Sequence, residues 1–176
     1  MNIVVLAGGW SPERDVSLSS GSRIANALIS RGHRVLLLDP YLGMEWTGDP
    51  LLYFRSDPVA AFTVGESLPN LATLQNSHCD SSAKIAKTVL PLCQAADVVY
   101  IGLHGDIGEN GTLQALLDCY GIRYTGSGAV GSMLAMDKAL TKQMLSAAAI
   151  ATPHGIVLSV KTESLSSMRA RVLQEV

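Results

Sequence analysis

Only three of the 176 residues are cysteine, Cys79, Cys93 and Cys119, and their spacing matches no metal-ligand pattern. Three thiols cannot all pair within one chain, which points to free cysteines in a reducing compartment, the cytoplasm. Charge of either sign is scarce as well. Thirteen Lys and Arg face 15 Asp and Glu, for a formal charge of -2. With no basic surplus, nucleic acid and anionic membrane are excluded as expected partners. No apolar run is long enough to span a bilayer. The opening "MNIVVLAGG" is too short for a secretory signal and lacks its basic start. Internal repeats and low-complexity tracts are also missing. What the chain does have is apolar material, 48% of its residues against 16% charged. That is enough for one good-sized core, or one domain and part of another.

The pattern predicts an α/β fold with a doubly wound, mainly parallel sheet. "NIVVLAGG" is a short β-branched run ending in glycines, the mark of a strand buried on both faces. A helix follows with Leu18, Gly21, Ile24, Ala25, Leu28 and Ile29 on one face, stopped by "RG" at 31–32. "HRVLLLDP" supplies the second strand, so residues 1–39 form one right-handed β-α-β unit. Residues 41–80 read as loops with an irregular hairpin, and "SHCD" at 77–80 as a surface loop. Residues 82–96 read as helical, with Pro91 breaking or starting the helix. "ADVVYIGLHG" is the third strand. The helix after it places Leu113, Leu116, Leu117 and Tyr120 at core spacing and stops at Gly121. "IRYTGS" reads as a shorter fourth strand. After a glycine and serine joint, "MLAMDKALTKQMLSAAAI" forms a helix with Met133, Met136, Leu140, Met144 and Ala147 facing inward. "TPHGIVLS" returns to a strand and "TESLSSMRARVLQEV" begins another helix. The expected domains are 1–126 and 127–176, the second incomplete.

Two strand-to-helix corners carry the chemistry. In "AGGWSPERDVS", residues 7–17, Gly8 and Gly9 permit close approach of a ligand to backbone, and a helix start offers free N–H groups. G-x-G-x-x-G spacing is missing, so a dinucleotide site is not expected. Glu13 reads from spacing alone as an acid matching the helix dipole. The second corner is "GLHGDIGENGT", residues 102–112. His104 stands just past a strand, at the sheet edge where open parallel sheets bind ligands. A hydrogen-bonded structural role and a substrate or phosphate contact both fit it. Gly105 leaves its amide free to face a ligand. His104, Asp106 and Glu109 lack a second cluster to complete a metal site. Lys138 and Lys142 read on their own as a solvated i,i+4 face.

Taken in order, "GGWSPERDVSLSSG", "LHGDIGENGTLQALLDCYGIRYTGSG" and "AMDKALTKQ" resemble the D-alanine–D-alanine ligases, including variants that make D-alanyl-D-lactate or D-alanyl-D-serine. The resemblance spans most of residues 3–156, leaves 41–80 unmatched, and implies an ATP-grasp ligase. In that family ATP phosphorylates the carboxylate of a first D-alanine, and a second substrate's amine attacks the acyl phosphate. By resemblance, Glu13 holds the ammonium of the first D-alanine. His104 sits beside that substrate and the acyl phosphate, and Lys138 reaches the ATP phosphates. The backbone at Gly8, Gly9 and Gly105 shapes the substrate loop. The family also implies Mg2+, a cytoplasmic homodimer and peptidoglycan precursors as the product's destination.

One departure is visible. Asn110 stands where such ligases commonly carry an acid, which keeps the turn chemistry and removes a charge. The family's remaining ATP machinery, magnesium ligands included, has no match in residues 157–176. The chain therefore reads as the amino-terminal portion: a first domain and the beginning of the ATP-grasp α+β domain, inactive by itself. The competing readings are another ATP-grasp carboxylate–amine ligase and a non-catalytic truncated binding module.

Overall fold

Asn2–Leu6 (β1) reads N-I-V-V-L, and strand alternation sends Ile3 and Val5 to one face of the sheet and Val4 and Leu6 to the other. All four are at most 5% exposed, as a strand covered on both sides requires. A computed structural model describes residues 1–76 and 83–175, so the expected loop at 77–80 lies outside the described residues. Arg34–Leu38 (β2) and Val98–Ile101 (β3) flank β1, both parallel to it, in the order β2-β1-β3. The chain thus steps to one side of β1 and then to the other.

Helices cover both faces. Arg14–Ser30 (α1) lays Ile24, Ala25, Leu28 and Ile29 over Ile3, Val5 and Val35. A Cβ on Gly21 would run into Ala7, so glycine sets how closely α1 can approach β1. Val89–Gln94 (α3) and Thr112–Cys119 (α4) cover the opposite face, with Leu92, Leu113 and Leu117 packed beside Val4, Leu6 and Val99. Fully burying one such side chain is worth about 1.5–3 kcal/mol. Cys93 sits in this layer, and burial pushes its thiol up to about 12. The mixed α/β class and the parallel sheet expected from sequence are what the fold has.

Several details differ from expectation. Residues 41–76 form no hairpin; they hold a 3₁₀ turn at Pro50–Tyr53, one antiparallel bridge from Arg55 to Val35, and the helix Leu71–Asn76 (α2). Among the described residues of the stretch expected to be helical from 82 to 96, α3 is the helical part, and Pro91 lies in its first turn, where no intrahelical N–H is needed. "IRYTGS" is reduced to one parallel bridge between Val99 and Tyr124. The pairing ends there because Ile101 N–H bonds the Thr125 side chain instead of backbone, and Gly126 turns away at φ 104°. Tyr120 lies beyond the last turn of α4 and is 52% exposed. Gln114, near the start of α4, is buried and donates to Gly108 O at 2.8 Å.

The chain divides into two compact units, 1–133 and 134–176. The helix expected over 133–150 is two, Ala129–Met136 (α5) and Lys138–Ala147 (α6). The break is at Asp137, whose carboxylate caps α6 by accepting from Leu140 N at 2.9 Å. Met133, Met136, Leu140 and Met144, expected to face inward, are 37–50% exposed, and Ala147 is exposed too. "TPHGIVLS" forms no strand: no neighbouring strand of the described residues pairs with it, and an unpaired strand leaves its backbone groups unsatisfied. Leu165–Glu175 (α7) completes the second unit. No described helix is long and apolar enough to cross a membrane.

Candidate functional site

The carboxyl ends of β1 and β3 lie side by side where the strand order reverses, and the two corners leave the sheet there. Ser17, fully buried on α1, ties them together. Its Oγ accepts from Gly8 N–H at 2.9 Å and donates to Gly102 O at 2.7 Å. Sequence reading passed over Ser17 because a serine on a helix looks like solvent-facing filler; it belongs to the buried face beside Gly21 and Ala25.

A carboxylate just past β2 fixes the first corner. Asp39 Oδ1 accepts from the amides of Gly9, Tyr41 and Leu42 at 3.2, 2.9 and 3.2 Å. Its other oxygen meets the Arg14 guanidinium at 2.5 Å, and Arg14 also donates to Gly9 O at 2.9 Å. Both side chains are nearly buried, 11% and 12% exposed, so the ion pair is largely shielded from water. Gly8 and Gly9 take φ of 93° and 78°, and a Cβ on Gly8 would meet Asp39. The glycines therefore serve the turn directly. The "DP" after the second strand was the available signal for Asp39, and an end-of-strand acid is easily taken for a turn residue.

Glu13 is the residue before α1, with its amide on Ser11 Oγ at 3.1 Å and its carbonyl accepting from Ser17 N at 3.0 Å. Its side chain makes no capping bond, is solvent-accessible, and has no ion-pair partner among the described residues. It points at the second corner: a Cβ on Gly105 would lie 3.0 Å from Glu13 Oε2 and 2.9 Å from Ser11 Oγ. Gly105 takes φ 68° and ψ 178°, a conformation only glycine adopts readily, and the space it frees is occupied by the Glu13 carboxylate.

His104 precedes Gly105 and is half-buried, its Nε2 3.2 Å from Ser20 Oγ. The Ser20 hydroxyl has one proton, within reach of the Val16 and Ser17 carbonyls. With that proton on a carbonyl, Nε2–H of His104 donates to Ser20 and leaves Nδ1 as the open lone pair. Helix α1 thus orients the imidazole of one corner while the residue that leads into it carries the carboxylate of the other.

Asn110 keeps the turn, with its Oδ1 accepting from Thr112 N at 3.0 Å ahead of α4. Lys138 belongs to the second unit, at the start of α6, where its Nζ donates to Ala135 O at 2.7 Å. Among the described residues no three His, Cys, Asp or Glu side chains gather as a metal site, so His104, Asp106 and Glu109 do not form one.

The profile of the family described as "D-ala D-ala ligase N-terminus" matches residues 2–127, the stretch that builds both corners. The chain belongs to the D-alanine–D-alanine ligase family. Among curated members, the D-alanine–D-alanine ligase of Pediococcus pentosaceus is 41% identical over 165 residues, which is 92% of this chain and 47% of that protein. That of Sphingopyxis alaskensis is 38% identical over 171 residues, 95% of this chain and 40% of that protein. The chain therefore spans less than half the length of these ligases. A solved D-alanine–D-alanine ligase from Bacillus anthracis superposes with a TM-score of 0.56 at 26% identity, over 98% of this chain and 43% of that one. The ligase resemblance of the motifs and the α/β fold expected from it both hold.

Proposed function

We propose that the chain is the amino-terminal portion of an ATP-dependent ligase that joins D-alanine to a second D-alanine, or to a related D-amino or D-hydroxy acid, for peptidoglycan precursors. The observation that carries this reading is the unpaired Glu13 carboxylate set against Gly105, beside His104, at the sheet's carboxyl edge. A zwitterion small enough for this corner needs an anion for its ammonium and donors for its carboxylate. Glu13 supplies the first, worth roughly 10–100-fold in binding for a charge-assisted bond. His104, once protonated on both nitrogens, supplies a donor toward carboxylate or phosphate oxygen. With Nδ1 open, it can instead take a proton from an attacking amine.

In the reaction so read, the first D-alanine's carboxylate oxygen attacks the γ-phosphorus of ATP and ADP leaves. The second substrate's amine, or the hydroxyl of a D-hydroxy acid, then attacks the carbonyl, and phosphate leaves as the amide or ester forms. Lys138 is the residue of this chain that would meet ATP phosphates. The described residues do not fit Mg2+, since no ligand cluster forms among them. A cytoplasmic homodimer is the setting this reading implies.

The test is steady-state kinetics of the longer protein. Glu13→Gln should raise KM for the first D-alanine roughly 10–100-fold and leave KM for ATP unchanged. His104→Ala should lower kcat more than it weakens ATP. Unchanged D-alanine dependence in Glu13→Gln overturns the assignment.

A further inference from the structure

Asp106 follows Gly105 and, unlike it, is not a glycine, yet takes φ 45°. A residue with a Cβ sits there at a cost and needs something to hold it. Lys84 does so. Its Nζ lies 2.7 and 2.5 Å from the two oxygens of Asp106 and 5.4 Å from the centroid of the Trp10 ring. Trp10 directly follows Gly9 and stacks on buried Tyr41, centroids 6.4 Å apart. One ammonium thus grips the first corner through an indole face and the second through a carboxylate. Lys84 lies outside every motif that carries the family resemblance.

We propose that Lys84 is a positioning residue which acts through Asp106 to hold the His104–Gly105 turn against Glu13, an inference that rests on the ligase reading for its effect on turnover but not for its geometry. Two consequences follow from the charges. Lys84 neutralises Asp106, so the carboxylate left facing Gly105 without a cation is that of Glu13. Lys84 also fixes the residue on which the next turn is hung, since Glu109 N and Asn110 N both bond Asp106 O, at 3.2 and 3.1 Å. The pair is partly solvated, 44% and 26% exposed, so water and salt weaken it. An exposed ion pair and one cation–π contact together give an expected effect of roughly five-fold.

The experiment has two arms. In the 176-residue chain, Lys84→Met keeps the apolar stem over Trp10 and removes the charge. Amide exchange at Glu109 and Asn110 should quicken roughly five-fold, while exchange in β1 stays unchanged. In the longer protein, Lys84→Met should raise KM for the first D-alanine by a similar factor with KM for ATP unchanged. Adding Asp106→Gly should bring that KM back, because glycine enters the left-handed region without an ion pair. Lys84→Arg should keep wild-type KM. Unchanged exchange in Lys84→Met overturns the inference. So does quickened exchange with unchanged KM, or a KM that Asp106→Gly fails to restore. If the wild-type longer protein shows no D-alanine-dependent turnover, the ligase reading fails by itself, and the exchange arm still decides whether Lys84 holds the turn.

Discussion

Leu117 and Leu140 sit on amphipathic helices of similar length, eight and ten residues, yet the first is 1% exposed and the second 39%. Within residues 1–133, α4 has a sheet to lie on, and its leucines close one of two apolar layers around β1. Among the described residues of 134–176 there are helices and no strand, and Met168 is the apolar residue that is buried. Val157, Val160, Leu165 and Leu173 stand 62–84% exposed. An apolar face is half of an interaction, and the second unit presents faces without the layer that would cover them. The first unit already holds both corners of the candidate site and the bonds that shape them.

The sharpest way to break this comparison is amide exchange on the 176-residue chain. Exchange in β1 and β3 should be slower than in α6 and α7 by roughly a thousand-fold or more, because a core strand opens only with its whole domain. Equal protection in the two units of a monomer would show that the second has a core of its own. Truncation gives a smaller but more local measure. Leu117→Ala should cost about 2–5 kcal/mol in denaturant unfolding, from lost transfer and the cavity left behind. Leu140→Ala should stay within about 0.5 kcal/mol. Equal losses would remove the distinction.

The same contrast explains what could be read from sequence. β1, β2, α1 and α4 were legible because each carries its period and its stop signal in a few neighbouring residues: "NIVVL", "RVLLL", and the leucines and glycine around α4. Glu13 and His104 come to one sheet edge because β1 and β3, the strands that lead to them, are neighbours. Long-range partnerships escaped. Nothing local marks Ser17 as the bridge from Gly8 to Gly102, Asp39 as the clamp on Gly9, or Lys84 as the cation on Asp106; these pairs are 9 to 85 residues apart. From Met133 onward the error ran the other way. The methionine stripe was read as core because the helical period is the same whether or not a partner layer is present.

The smallest expected effect concerns what does hold the second unit together at its end. Glu163 accepts from Ser159 N at 3.0 Å and from Arg171 of α7 at 2.8 Å, and Arg171 reaches Glu175 as well. The Ser159 amide and then the Arg171 guanidinium hold the Glu163 carboxyl below the usual glutamate range. The folded form therefore binds its proton less readily than the unfolded chain does. Stability from this group is fully present above the unfolded value, about 4.3, and fades as pH falls through the folded one. The groups are solvated, so the effect is confined to α7 and its approach and leaves the sheet of the first unit untouched. Lowering the pH from 6 to about 3.5 should shift the α7 amide resonances and quicken their exchange while those of β1 hold. Glu163→Gln should reduce the pH dependence of α7 to what the Arg171–Glu175 pair leaves. If β1 and α7 respond together, the two units are one cooperative structure. If α7 responds as before in Glu163→Gln, the proton is taken up elsewhere and the ion pair contributes nothing to the end of the chain.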